Sequence, residues 1–205
     1  KEVLVDAIDL RGVKANTGNL IEGMEIKGTL GKLYAKADRI DLGKEIARLN
    51  KIDLSDTAIT LLMNDTTTNK DTTSTAVNWK LMLDQIDLDR VAFAMQMPGD
   101  SLRLSTYIDK AGLTDGIVDL GSARYSASQF LLSGSSLSYD GSYSDPAPGF
   151  DPAHIALNDV NIRIDSLLYG GRDISARIKK FSANDRSGLT LSSLTGDISS
   201  DSTTI

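Results

Sequence analysis

Val91-Ala92-Phe93-Ala94-Met95-Gln96-Met97 places a large apolar side chain at every second position, with Ala92, Ala94 and Gln96 between them. That spacing belongs to a β-strand, whose successive side chains leave opposite faces; a helix would space them by three and four. The same period extends outward in both directions. Upstream, Met24, Ile26, Gly28 and Leu30 alternate with Glu25, Lys27 and Thr29, and Ile59, Leu61 and Met63 repeat the pattern. Downstream come Leu102, Leu104, Thr106 and Ile108, then Ile162 and Ile164 among Asn161, Arg163 and Asp165, then Ile174, Ala176 and Ile178. Short strands with one wet face, separated by Gly, Asp and Ser, predict an all-β chain with little helix. One stretch competes: Leu42, Ile46 and Leu49 stand at helical spacing, which leaves a short helix or a turn there.

The composition points the same way. Of the 28 acidic residues, 24 are Asp and only four are Glu (Glu2, Glu22, Glu25 and Glu45), while Ser and Thr contribute 22 and 16. Asp, Ser and Thr hydrogen-bond nearby backbone and so favour turns and caps over helix interiors. The net charge of −6 and scattered Lys and Arg leave no nucleic-acid footprint. No run approaches the ~20 apolar residues of a membrane span. The chain opens at Lys1 without a leader-like pattern, which reads as a piece of a longer protein. Having no Cys excludes thiol catalysis, thiolate metal sites and disulfides, and leaves the redox compartment open.

A tripeptide recurs. Ile-Asp-Leu stands at 8–10, 40–42, 52–54 and 86–88, and Val118-Asp119-Leu120 is a close relative. Steps near 32 residues suggest similar β units stacked along an elongated body, although these common residues also recur by chance. The Asp is expected on the wet side of a strand or at its end. Two segments interrupt the strands: the Thr-rich stretch 64–76, with almost nothing to bury, and the irregular stretch 139–152, which holds Pro146, Pro148 and Pro152. Neither looks like a domain linker, because the same strand pattern resumes after each. Residues 199–205 look like a frayed end.

Chemistry-bearing residues form no convincing set. His154 is the only histidine, no Gly-x-Ser-x-Gly elbow accompanies it, and a loop-packing role is expected. Asp87 and Asp89 resemble an acid–base pair only because Asp is everywhere. Asp140, Asp145 and Asp151 lack the grammar of a calcium loop. Gly170-Gly171 follows no phosphate-binding pattern and reads as a hairpin turn. Trp79 reads as a packing anchor ahead of Leu81, Leu83, Ile86 and Leu88, with sugar stacking as the alternative. No catalytic residue, metal site or cofactor is therefore expected.

Taken together, the run from Trp79 to Val91, with its Ile-Asp-Leu, two spacers and a further apolar residue, resembles the TamB and AsmA-like proteins. So do Ile52-Asp53-Leu54-Ser55-Asp56-Thr57-Ala58-Ile59 and the stretch from Ile21 to Leu30. The resemblance implies an internal segment of a long envelope protein of Gram-negative bacteria, anchored in the inner membrane and crossing the periplasm. It implies an elongated, curved antiparallel sheet folded like a taco around an apolar inner groove. It also implies roles in outer-membrane protein assembly and in phospholipid passage between the membranes. The outer-membrane assembly partner would be met by parts of the parent chain that are not present here.

The residues lend the groove a physical basis. If the strands share one apolar face and the sheet curls without closing, Ile59, Leu61, Met63, Val91, Phe93, Met95, Met97, Ile162 and Ile164 would line a trough for acyl chains. The same residues fit the core of a closed sandwich. A β-solenoid or β-sandwich module binding glycan or protein is the alternative function, and a polysaccharide-cleaving enzyme ranks behind both.

Overall fold

Eighteen-residue strands set the architecture. The computed structural model describes residues 2–3, 6–18, 23–63, 78–170 and 173–200. Ten strands follow in chain order: β1 (Glu2–Val3), β2 (Ala7–Asn16), β3 (Met24–Asp41), β4 (Ile46–Met63), β5 (Lys80–Met97), β6 (Leu102–Asp119), β7 (Arg124–Asp140), β8 (His154–Gly170), β9 (Asp173–Asp185) and β10 (Thr190–Ser200). All belong to one open sheet in the order β1-β3-β4-β5-β6-β7-β8-β9-β10, with β2 also on β3. Among the described residues the only helical element is a single 3-10 turn, Pro98–Asp100. Crossing from β2 to β10 takes eight inter-strand steps, roughly 38 Å at 4.8 Å each.

Four-residue turns reverse the chain three times in the same way. Residues 42–45, 98–101 and 120–123 each end on a left-handed residue: Glu45 (φ 55°), Ser101 (φ 56°) and Ala123 (φ 49°). The stretch 42–49 is therefore turn and then strand, not helix. Asp41 decides this, because its Oδ1 accepts hydrogen bonds from the Gly43 and Lys44 N–H groups at 3.1 Å each and so closes the turn. Asp119 does the same for its own turn, accepting from the Ser122 N–H at 3.0 Å.

The expectation of a purely antiparallel sheet is corrected at one place: β4 and β5 run parallel. A parallel pair needs a connection long enough to return the chain to its starting end. The sixteen positions between Met63 and Lys80 serve that purpose, and the Thr-rich stretch 64–76 falls there, outside the described residues. The irregular stretch begins later than expected, since Tyr139 and Asp140 are still in β7. Nor does fraying begin at Ser199: Ser199 and Ser200 pair with Ser175 and Ile174, and 201–205 lie outside the described residues.

The parallel pair puts the tripeptides in register. Ile52, Asp53 and Leu54 stand beside Ile86, Asp87 and Leu88. Through Ala35, Tyr34 and Leu33 of β3, Ile8, Asp9 and Leu10 of β2 share the same level. The copies at 40–42 and 118–120 stand elsewhere, at the sheet margin, where Asp41 pairs with Ile46, Ile46 with Lys80 and Lys80 with Asp119. The structural unit is thus the single strand, and the spacing near 32 is not its repeat. Asp9, Asp53 and Asp87 lie on the wet face, bonded to Arg11, Lys51 and Gln85, whereas Asp41 and Asp119 cap turns.

Candidate functional site: an apolar trough with two creases

Strict alternation breaks twice in each strand from β4 to β7, at shared levels. In β5 the inward residues are Leu81 and Leu83, then Ile86 and Leu88, then Val91, Phe93, Met95 and Met97. Each break leaves two residues between inward side chains where alternation would leave one. The first break falls on a row of left-handed residues: Asp56 (φ 51°), Arg90 (φ 52°), Gly134 (φ 59°) and Asp159 (φ 51°), with Gly12 (φ 63°) in β2. The second carries Asp115 (φ 49°) and Ser166 (φ 60°). A left-handed residue in a strand redirects the chain and bends the sheet. Because β4, β5 and β6 bend together, their pairing continues across the creases without a register shift. β7 and β8 shift register at the first crease.

Burial shows the direction of the bend. Asp56, Arg90, Asp115, Gly134, Asp159 and Ser166 are exposed on the outside of the creases. Inside the first crease Thr57, Val91, Ser135, Val160 and Ala183 are buried, with Ser135 only 2% exposed. Inside the second are Leu83, Gly116 and Ala127. Both bends therefore close toward the apolar face. The creases divide the inner face of β5 into a three-residue floor, about 10 Å wide, flanked by a short wall of four residues and a tall wall of seven. The first crease requires close backbone approach, since a Cβ on Gly31 would lie 2.6 Å from the Asp56 carbonyl oxygen; at the second, a Cβ on Gly116 would meet side chains, the Leu113 Cδ2 at 2.5 Å.

The floor is continuous across strands. One row runs Leu33, Leu54, Leu88, Ala111, Leu132, Ile162, and the next runs Ala35, Ile52, Ile86, Leu113, Phe130, Ile164. On the tall wall, Gly28, Ile59, Phe93, Thr106 and Leu137 form one row and Ile26, Leu61, Met95, Leu104 and Tyr139 the next. The short wall ends in Leu81, Val118, Tyr125 and Tyr169, the two tyrosines stacked at 6.0 Å. None of these rows contains a charged residue. The face is open at these positions: Ile59 is 38% and Tyr169 48% exposed, and among the described residues no large side chain falls below 2%.

All nine residues expected to line a groove lie on this one face. Ile59 and Leu61 stand beside Phe93 and Met95 on the tall wall, and Ile162 and Ile164 lie on the floor. Val91 differs from the others because it is buried in the first crease, 6% exposed. The sequence reading missed Leu104, Leu137, Tyr139, Leu157 and much of the floor. The signal was the skipped position: an inward-outward-inward triplet flanked on both sides by two-residue spacers. Ile-Asp-Leu is one such triplet; Phe130-Leu131-Leu132 and Ile162-Arg163-Ile164 are others.

The outside of the creases is held by polar contacts. Arg90 donates from Nε and a terminal nitrogen to both carboxylate oxygens of Asp56, at 2.7 and 3.0 Å, and also pairs with Asp89. The hydrogen bond from Arg90 holds the Asp56 carboxyl below the usual carboxylate range; burial opposes it, and the Arg90 charge adds a smaller lowering effect. At the second crease Asn50 donates to Asp84 at 2.9 Å, and the Ser128 hydroxyl lies 3.0 Å from Asp115.

His154 is buried, at 4% exposure, where residues 141–153 fold back toward the sheet. Its Nδ1 lies 3.0 Å from the Asp140 carboxylate and its Nε2 3.4 Å from the Ser144 hydroxyl. The order of these groups matches a nucleophile, a base and its orienting acid. However, Ser144 also shares its hydroxyl with Ser142 at 2.9 Å, and the adjacent 180 Å³ hollow is lined by Gln96, Arg103 and Asp140, without Ser144 or His154. The same segment is tied down by Tyr143, whose hydroxyl donates to the Pro98 carbonyl at 3.2 Å, and by Asp151, which accepts from the Ala147 and Ala153 N–H groups. The chain of contacts therefore serves to fix the loop. Asp87 and Asp89 bond to Gln85 and Arg90 and do not form an acid–base pair. Among the described residues no three His, Cys, Asp or Glu side chains gather as a metal site. Trp79 is half-buried, and its carbonyl accepts from Leu120 at 2.9 Å. β8 and β9 pair as far as Gly170 and Asp173, as a hairpin requires. A comparison with protein-family models and with curated proteins found no match.

Proposed function

We propose that this chain is a non-enzymatic, structural and lipid-conducting segment of a TamB-like envelope protein, seating phospholipid acyl chains in the trough. The observation that carries the reading is the inner face itself, which is uncharged from β3 to β8, open, and continuous across five inter-strand steps, roughly 24 Å of sheet. Each CH₂ buried there contributes about 0.8 kcal/mol, so a few methylenes per strand suffice for a weak, sliding hold. An open lane of this kind suits passage along the sheet better than storage, because among the described residues no wall closes either end. On this reading the segment works in the periplasm, its parent anchored in the inner membrane. An outer-membrane assembly protein is met by parts of the parent outside this chain.

Mass spectrometry of organic extracts of the purified protein tests the proposal. Co-purifying phospholipid is expected, and Phe93→Asp, on the half-buried tall wall, should remove it while the chain stays folded. Extracts free of lipid, with added fluorescent fatty acid also unbound, overturn it.

A further inference from the structure

Four of the five methionines collect at one place. Met24 pairs with Met63, Leu61 with Met95, and Met97 with Leu102, while Met63 and Met97 stand one step beyond the Leu62–Gln96 pair. They form the lip of the tall wall where β3, β4 and β5 lie side by side, and all four are half-buried. The fifth, Met82, pairs with Ile117 on the opposite face. Elsewhere the inner face is built mainly from Leu, Ile, Val, Ala and aromatic residues, with a few Gly, Thr and Ser, and no further Met. The unbranched thioether is adaptable, and it is also the apolar side chain that mild oxidants convert to a polar one.

We infer that Met24, Met63, Met95 and Met97 form an oxidation-sensitive loading lip, a modification site that governs entry of acyl chains into the trough. The inference rests on the acyl-chain reading above. In the chemical step the thioether sulfur attacks the terminal oxygen of a hydroperoxide. The O–O bond breaks as the S–O bond forms, sulfur is oxidised by two electrons, and with hydrogen peroxide the displaced hydroxide takes the transferred proton and leaves as water. The resulting sulfoxide presents a strong acceptor where a chain would have to cross, and an acyl chain offers no donor to replace the water it would strip from it. Four sulfoxides together turn the lip from apolar to polar while leaving the floor unchanged.

The test uses hydrogen peroxide, removed with catalase, and a dansyl-labelled fatty acid as probe. Peptide mass spectrometry identifies the sulfoxides, and circular dichroism checks that the sheet persists. Untreated protein should bind the probe, and protein oxidised at all four lip positions should bind it about ten-fold more weakly. The fourfold variant Met24→Leu, Met63→Leu, Met95→Leu, Met97→Leu should bind before and after peroxide alike; the pair Met63→Leu, Met97→Leu gives a partial version should the fourfold variant not fold. Met82→Leu should remain as sensitive as the parent. Unchanged binding by fully oxidised protein, or equal loss in the leucine variants, overturns the lip and leaves the trough standing. Failure of untreated protein to bind the probe overturns the trough, and the lip with it.

Discussion

Arg90 and Asp56 face each other across the one parallel strand pair, joined by two hydrogen bonds of 2.7 and 3.0 Å, and both are left-handed, at φ 52° and 51°. Left-handed backbone is unfavourable for residues with a Cβ and persists only where the surroundings fix it. Here the bend, the salt bridge and the buried Thr57–Val91 pair beneath it hold the conformation together.

Arg90→Ala should therefore destabilise the fold more than Arg90→Gly, since glycine accepts the bend freely. The difference expected in the thermal midpoint is about 2–4 °C. Equal midpoints, or glycine the lower, would show that the crease is not a site of backbone strain.

Gly31→Ala should cost about 1–3 kcal/mol by chemical denaturation, because the new methyl meets the Asp56 backbone carbonyl at 2.6 Å and one strand must shift. Gly196→Ala is the comparison. It meets nothing within 4 Å and should be neutral or slightly stabilising. Equal costs at the two sites would argue against close approach at the first crease.

Val91→Asp should unfold the protein while Phe93→Asp should not. Val91 is 6% exposed inside the crease, where an unpaired carboxylate has no water or partner, whereas Phe93 stands two positions along the open wall. Far-ultraviolet circular dichroism distinguishes them, and loss of the sheet in both variants would point to a covered core.

Replacing His154 by Ala should release the segment 141–153, because its buried contacts to Asp140 and Ser144 are lost together. A stability loss of about 1–3 kcal/mol and new proteolytic cleavage within 141–153 are expected. A fluorophosphonate probe should leave Ser144 unlabelled in the parent chain. Labelling there would make the loop a catalytic site.

Acid should weaken the fold in a defined window. Hydrogen bonds hold Asp56, Asp119, Asp151 and Asp185 below their ordinary value of 3.8: from Arg90 to Asp56, from the Ser122 backbone N–H to Asp119, from the Ala147 N–H to Asp151 and from Ser187 to Asp185. The folded state then binds these protons more weakly than the unfolded state. Their contribution is complete above about pH 4 and is lost as pH falls through the lowered values. Denaturation midpoints should be level down to about pH 4 and then decline, less steeply in Asp119→Asn. A decline that begins near pH 6 would implicate other groups.

How much of this was legible in the chain depends on the range of the interaction responsible. Alternation in Val91–Met97 and its counterparts gave the strands and the shared apolar face directly, because side-chain direction in a strand is a local property of the backbone. The Asp excess pointed to turns and outward positions for the same reason, as Asp41 and Asp119 demonstrate with bonds that reach only two or three residues. Tertiary structure alone decided that β4 and β5 run parallel, that Ile-Asp-Leu copies 34 residues apart become neighbours, and that the breaks in alternation of β4 to β7 fall on two shared lines. A crease exists only when adjacent strands bend at the same level, and register is set by pairing between distant segments. That the strands form one sheet whose ends do not pair with each other was decided the same way, by pairing between distant segments.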